Sequence, residues 1–273
     1  MHERAPGPLP VPDSGTGTTD LIETAMTPER YQRISDMLAM RQLDLTVCLE
    51  EVHKPHNLAA IVRTADAVGI HRVHAVWPKN SIHKRKGTAR GSQNWVDISL
   101  HGDIQSAISD LKASGMQILA THLGEQSVDF REIDYTKPTA ILLGQEKFGI
   151  TPEALALADH HIVIPMVGMV QSLNVSVAAA AILYEAQRQR ELAGCYQRGC
   201  PLEAEEQNTI LFEGGYPIYA QLCKEKEMPY PQLGSQGEIL ADDTWWQRMQ
   251  LTRKGWAAQQ DESLDMEHPS NEI

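Results

Sequence analysis

The sequence has few cysteines and no long apolar run, and each shortage excludes a class of protein. Its four cysteines form no C-x-x-C pair and no alternating framework, so we interpret them as reduced thiols. No histidine spacing completes a metal site with them. No apolar stretch approaches the ~20 residues of a membrane helix, and the N-terminus lacks the apolar segment of a secretory signal. We therefore expect a cytoplasmic protein without membrane association and without metal.

Several familiar catalytic motifs are also missing. There is no G-x-x-x-x-G-K-[ST] phosphate loop and no G-x-G-x-x-G dinucleotide fingerprint. There is no G-x-S-x-G nucleophile motif, and no dense pair of carboxylates. These absences disfavour nucleoside triphosphate binding and hydrolysis.

The formal net charge of −12 at pH 7 argues only superficially against a nucleic-acid binder, because the charges are unevenly distributed. Acidic residues crowd the C-terminal third, whereas basic residues cluster between Lys79 and Arg90 without an acidic neighbour. A solvated surface loop is the more ordinary origin of such a cluster when it is taken alone. The cluster includes Lys84, Arg85, Lys86 and Arg90.

Apolar runs and helical periodicities alternate along the chain, which predicts an α/β fold. Several strands are continuously apolar, as in a mostly parallel sheet with helices on both faces. The predicted strands cover 45–50, 72–76, 95–100, 116–121, 139–143 and 161–165, and the predicted helices cover 27–42, 57–69 and 103–114 and begin again near 151 and 172.

The composition divides the chain into four parts. Residues 1–25 are rich in Pro, Gly and Thr and are predicted to be disordered. Residues 26–194 hold the α/β pattern, and residues 195–258 form a helical C-terminal extension that contains three tryptophans. Residues 259–273 form an acidic flexible tail. Ligands of such sheets bind at the carboxyl ends of strands, which here are Thr121, Gly144 and Pro165.

A first cluster of candidate functional residues follows the first strand. Asn57 is a plausible N-cap of the next helix, and Arg63 lies on a helix face with small neighbours, which would let a ligand or another backbone approach. A surface ion pair between Arg63 and Asp66, three residues further on, is an equally good explanation.

A second cluster, residues 143–150, begins with a glycine directly after an apolar strand. Gly144 would let a ligand approach the backbone, where free amides could bind polar groups. An ordinary turn remains an alternative.

The third cluster joins the last strand to a long helix through residues 166–171. This connector consists largely of Met, Val and Gly, so we expect it to be buried or to form the wall of an apolar pocket. Ser172 or Asn174 could simply cap the helix that follows. That helix is apolar nearly all round, which a subunit interface would explain.

Together the three clusters resemble the three motifs of the SpoU branch of the SPOUT RNA methyltransferases. The matching stretches are NLAAIVRTADAVG, LLGQEKFGI and IPMVGMVQSLNVSVAAAAILYEA, within residues 26–190. The resemblance implies a deep C-terminal trefoil knot, a homodimer, and S-adenosylmethionine as cofactor. The cofactor-binding residues that it implies are Thr121, Gly144, Ile164 and Leu173.

The resemblance also implies a reaction and the residues that perform it. Flanking segments are similar to members that methylate the ribose 2′-hydroxyl of guanosine 18 in the tRNA D-loop. Alternatives are ribosomal RNA, another tRNA position, or a non-catalytic RNA-binding relative. The implied catalytic residues are Arg63, Asn57 and Glu146, supported by Ser172 and Asn174, and the implied RNA contacts are Lys84, Arg85, Lys86, Arg90 and the terminal helices.

Overall fold

The computed structural model describes residues 26–52, 54–77, 95–145 and 147–250. These residues form two compact units, and the chain passes between them after Ser35 and again after Leu202. The predicted disordered lead, the acidic tail and the basic cluster lie outside the described residues. The four-part division drawn from the sequence stays a prediction.

The middle unit is built on a seven-stranded sheet in the order β3-β2-β1-β6-β4-β7-β5. Every pairing in this sheet is parallel, which confirms the predicted fold class. The strands are β1 Leu45–Glu50, β2 Arg72–Val76, β3 Asp97–His101, β4 Gln117–Thr121, β5 Val128–Asp129, β6 Thr139–Leu143 and β7 His160–Val163.

All six predicted strands are present, with small shifts at their ends, and the short β5 is an addition. The last long strand ends at Val163 rather than at Pro165. Proline lacks the amide proton that a strand pairing requires, so it cannot extend the pairing by donating.

Helices cover both faces of the sheet. They are α2 Pro55–Ala67, α3 Ile104–Ala113, α4 Pro152–Leu157 and α5 Val175–Leu192, with 3₁₀ turns at Phe130–Glu132 and Cys195–Gln197. A further helix, α1 Pro28–Ala39, precedes β1 in the chain. One apolar core lies under α2 and α5, and a second lies under α3 and α4.

Two predicted helix ends are wrong. The helix α2 begins at Pro55 rather than at Asn57, because proline is favoured in a first helical turn, where no intrahelical amide bond is needed. The helix α1 ends at Ala39 rather than at Gln42. Arg41 and Gln42 are instead buried in polar contacts at the amino-terminal edge of the sheet.

Arg190, near the end of α5, is fully buried at the amino-terminal edge of the sheet. Its guanidinium donates to the Tyr135 carbonyl at 2.8 Å, to Gln42 Oε1 at 2.8 Å and to Asp44 Oδ1 at 2.5 Å. It also donates to the carbonyls of Asp44 and Lys137, each at 3.1 Å. A buried charge is tolerated only with such partners, so Arg190 ties α5 to the segments that precede β1 and β6.

The second unit contains the start of α1 and the C-terminal segment. The C-terminal segment is helical, as predicted, with an added antiparallel ribbon. Phe212, Tyr216, Tyr230 and Trp245 pack together as its aromatic core. Its elements are α6 Ala204–Gly215, α7 Pro217–Glu225, β8 Gln232–Leu233, β9 Ile239–Leu240 and α8 Asp243–Gln250.

Candidate active site

A cavity of about 390 Å³ lies at the carboxyl ends of β4, β6 and β7, where the sequence predicts a ligand site. This volume falls within the range of ~300–1,000 Å³ found for small-molecule sites. The three loops that follow these strands line it, together with the start of α5. Its lining includes all four predicted cofactor-binding residues: Thr121, Gly144, Ile164 and Leu173.

Gly144 is required by the fold of its own loop. A Cβ atom at this position would lie 2.3 Å from the backbone carbonyl carbon of Gly149. Two backbone hydrogen bonds of 2.9 Å between Gln145 and Gly149 close this short loop, and Gly149 has a φ of +70°. From the sequence, we expected a glycine at position 144 because it would let a ligand approach. In the structure, a glycine is already needed there because the backbone of Gly149 folds back against it.

Two acidic residues at the end of β1 hold this loop from both sides. Glu51 Oε2 accepts a hydrogen bond of 2.5 Å from Gln145 Nε2. The buried Glu50 carboxylate accepts from the amide of Thr151 at 2.9 Å and from its hydroxyl at 2.6 Å. The sequence analysis missed both acids, although a glutamate at the end of an apolar strand is a sign of a buried partner. Glu146 lies outside the described residues.

Asn57 and Asn174 connect the first cluster to the third. Asn57 is buried, and its Oδ1 accepts a hydrogen bond of 3.3 Å from Asn174 Nδ2. The Oδ1 of Asn174 caps α5 by accepting from the Ser176 amide at 2.9 Å. Asn174 therefore serves both as a helix cap and as a link between motifs. Ser172 is exposed and lines the cavity.

Arg63 is exposed on α2 and is not among the residues that line the cavity. Within the described ranges, its side chain makes no hydrogen bond and no ion pair. The alternative of an Arg63–Asp66 ion pair is wrong, because Asp66 Oδ1 instead accepts from the buried Arg41 at 2.8 Å. The cavity thus brings together every predicted cofactor residue but not the principal predicted catalytic one.

The apolar connector is divided between the cavity and the surface. Met166 and Gln171 line the cavity. Val167 and Met169 are fully exposed, and Val170 is largely exposed. Of the two alternatives predicted for the connector, burial is wrong for a single chain, whereas Met166 and Gln171 do form part of the pocket wall.

Exposed apolar side chains continue along one stripe of α5. Val177, Tyr184 and Leu192 are exposed and are separated by about two helical turns each. We call this stripe, together with Val167, Met169 and Val170, the exposed apolar face. The helix is apolar nearly all round, but a single chain leaves this stripe of it exposed.

The cavity carries positive or neutral groups rather than acids. Lys54 and His122 are the titratable residues among its lining, and the sequence analysis missed both. The His122 ring meets that of His161 edge-to-face at 5.6 Å. Across the described ranges, no cluster of His, Cys, Asp and Glu could hold a metal ion, and no helix could cross a bilayer.

The fold and this cavity define an α/β protein with a ligand site formed by the carboxyl ends of parallel strands. Residues 44–184 match the SpoU rRNA methylase family, and residues 188–242 match its C-terminal region. The chain therefore belongs to the SpoU methylase family.

Curated relatives and a solved structure extend this comparison. The chain is 62% identical to the tRNA (guanosine(18)-2′-O)-methyltransferase of Escherichia coli over 82% of its own length and 99% of the relative. It is 58% identical to the enzyme of that name from Thermus thermophilus, over 63% and 89% of the two chains. The crystal structure of the Aquifex aeolicus TrmH/SpoU tRNA modifying enzyme matches with a TM-score of 0.63 at 45% identity, covering 69% of this chain and 96% of that one.

Proposed function

We propose that this protein transfers a methyl group from S-adenosylmethionine to the ribose 2′-hydroxyl of guanosine 18 in the D-loop of tRNA. The observation that carries the proposal is that the second and third motif regions line one cavity, and that Asn57 of the first region is hydrogen-bonded to Asn174, which is among the lining residues. The near-complete coverage of the Escherichia coli relative named for this reaction supports the choice of substrate.

The cavity suits the proposed cofactor in size and chemistry. Apolar side chains from Leu143, Ile162, Ile164 and Leu173 can pack against the adenine and the methionine chain. Backbone amides near Gly144 can bind polar groups of the same ligand. When bound, S-adenosylmethionine supplies an electrophilic methyl group on a sulfonium, so the protein needs mainly to align a hydroxyl oxygen with it.

The ribose hydroxyl is a poor nucleophile until its proton leaves. A guanidinium stays protonated at ordinary pH, so Arg63 is a poor proton acceptor. We assign to Arg63 the stabilisation of the developing alkoxide and the binding of the adjacent phosphate. Asn57 and Glu146 orient Arg63 and the ribose, and the proton passes to another group.

A homodimer is part of the proposal. The exposed apolar face consists of six large apolar side chains that a single chain leaves exposed to solvent. A second copy would bury it, and symmetric pairing is the commonest way in which soluble chains associate. Because Arg63 does not line its own cavity, a second copy also offers a route by which Arg63 reaches a reacting ribose.

RNA binding is assigned to Lys84, Arg85, Lys86 and Arg90 and to the terminal helices. Folded RNA is recognised through its shape and 2′-hydroxyls. Phosphate contacts release counterions, so we expect affinity for tRNA to fall steeply as salt rises. The cytoplasmic location and the trefoil knot stay predictions that go with this assignment.

The test is methyl transfer from labelled cofactor into bulk tRNA, followed by mapping of the modified nucleotide. We expect label on the ribose of guanosine 18 alone. Label on a base, or in ribosomal RNA alone, would overturn the assignment. An absence of transfer together with an absence of cofactor binding by calorimetry would instead indicate a non-catalytic relative.

A further inference from the structure

An aromatic side chain lies exposed on the loop that borders the cavity. Phe148 is 73% exposed, although it is one of only three phenylalanines in the chain. It belongs to the loop that Gln145 and Gly149 close, and both of these residues line the cavity. An exposed ring beside a site is an unusual use of a large apolar side chain.

Hydrogen bonds anchor this loop at both of its ends. The paired backbone bonds between Gln145 and Gly149 fix its base. Glu51 holds Gln145, and Glu50 holds Thr151, which follows the loop. Such bracing lowers the entropy lost when a ligand contacts the ring.

The neighbouring side chain adds a positive charge to the same place. Lys147 Nζ lies 4.9 Å from the centroid of the Phe148 ring, within the range of a cation–π contact. An aromatic face beside a lysine is the combination with which proteins bind single-stranded nucleic acid: the ring stacks on a base and the cation meets a phosphate.

We propose that Phe148 stacks on a nucleobase of the RNA strand that enters the cavity, with Lys147 beside the phosphate of that strand. The bases of single-stranded RNA loops can be splayed out of their stack and stacked on aromatic side chains, and a nucleotide that enters the cavity would lose stacking partners in this way. A protein ring that replaces a lost stacking partner offsets part of that cost. This inference rests on the proposed function, and it adds a substrate contact.

The test compares Phe148→Ala, Phe148→Leu and Phe148→Trp in steady-state methylation of tRNA. We expect alanine to raise the KM for tRNA by about 5- to 100-fold, the usual worth of one stacked base. Leucine should fail in the same way, because it restores apolar volume without a π face, whereas tryptophan should stay within about threefold of the wild type. The affinity for S-adenosylmethionine, measured by calorimetry without RNA, should not change.

A matched control is Leu43→Ala, which removes an exposed apolar side chain before β1, at the opposite edge of the sheet from the cavity. It should leave the KM unchanged. An unchanged KM in Phe148→Ala, or full rescue by leucine, would overturn the stacking role. Dissociation of the dimer by Phe148→Ala in sedimentation would also overturn it, since the ring would then belong to a subunit contact.

The wild-type protein is assayed first, so that failure of the proposed function is recognised separately. If it methylates an RNA other than tRNA, the substrate assignment fails, and Phe148 is judged on the RNA that is modified. If the wild-type protein modifies guanosine 18 and Phe148→Ala does so equally well, only the stacking inference fails.

Discussion

Arg190 and Arg63 lie on the neighbouring helices α5 and α2, and the same guanidinium group has opposite surroundings at the two positions. Arg190 is fully buried and donates to five acceptors from four residues. Arg63 is exposed, and its side chain has no polar partner among the described residues. A guanidinium cannot lose its charge in a protein, so burial requires partners, whereas an exposed arginine without a partner remains available to a substrate. The contacts of Arg190 indicate a stabilising role, whereas the exposure of Arg63 is compatible with the catalytic role that we propose for it.

The largest expected effect is the loss of stability in Arg190→Ala. Removing one member of a buried ionic network leaves the others without a partner, so we expect the free energy of unfolding to fall by about 3–5 kcal/mol. The measurement is urea denaturation followed by circular dichroism. The matched control is Arg188→Ala. Arg188 lies two residues before Arg190 on α5, is exposed, and forms an ion pair of 2.7 Å with Glu185.

We expect at most about 0.5 kcal/mol from that exposed pair. If Arg190→Ala and Arg188→Ala lost the same free energy of unfolding, Arg190 would have no special role in stability. Methyl transfer per folded molecule should persist in Arg190→Ala at a temperature where the variant is still folded.

Arg63→Ala should show the reverse pattern. We expect the rate of methyl transfer to fall by about 10²–10³-fold, the usual effect of removing a group that stabilises developing negative charge. The free energy of unfolding should change by no more than about 0.5 kcal/mol, because no internal contact is lost. Single-turnover transfer and urea denaturation measure the two effects.

Thr64→Ala is the control, since the one partner of its hydroxyl among the described residues is the Ala60 carbonyl of its own helix. Near-full activity in Arg63→Ala would show that the catalytic assignment is wrong. Near-full activity in Arg63→Lys would be compatible with a role for the positive charge but would exclude a role for bidentate hydrogen bonding by the guanidinium.

Mixing Arg63→Ala with Leu173→Arg, which should block the cavity, tests whether Arg63 acts on the site of a second copy. Activity recovered in the mixture would support that arrangement.

The sequence could predict what is encoded locally. The apolar run Thr139–Leu143 is a central buried strand at the predicted positions, and Gly69 follows the end of α2 with a φ of +82°. The three loops of the cavity follow from strand ends alone. The predictions of a knot and of the ligand's identity rest only on the family resemblance.

Long-range pairings could not be predicted in the same way. Arg190 and Gln42 are 148 residues apart, and Thr151 and Glu50 are 101 apart. No local pattern says which buried charge meets which partner. The exposed connector could not be predicted for a related reason. Its apolar composition indicates burial, but composition does not say whether the same chain or a second copy covers these side chains.

Asp66→Ala tests the same comparison at the residue that the sequence suggested as a partner of Arg63. In the structure Asp66 pairs with Arg41 instead. We expect a loss of about 1–3 kcal/mol in unfolding free energy, because the buried Arg41 keeps only carbonyl partners at Ile70 and Trp95. Asp66→Asn, which keeps an acceptor oxygen, should lose less. Methyl transfer by both folded variants should match the wild type. A fall in transfer comparable to that of Arg63→Ala would mean that Asp66 positions Arg63 after all.

The smallest expected effect concerns His74, a half-buried side chain that, unlike Arg190, can lose its charge. His74 Nδ1 lies 2.9 Å from His101 Nε2, and one nitrogen of such a pair must accept, so one of the two rings is neutral. Burial, together with the charges of His101 and Arg72, lowers the pKa of His74 to about 4, although Asp110 and Asp97 act in the opposite direction.

The sign of the resulting pH dependence follows from linkage. The unfolded chain takes up a proton on His74 near its ordinary pKa of about 6.5, whereas the folded chain does so only near 4. The stability contributed by His74 is thus complete above about 6.5 and declines as the pH falls towards 4, by at most about 1.4 kcal/mol per pH unit. Urea denaturation of wild type and His74→Gln at pH values from about 7 to about 5 measures this difference. Because glutamine does not titrate, the variant should lose less stability over this range, and parallel curves would mean that His74 is as easily protonated in the folded chain as in the unfolded one.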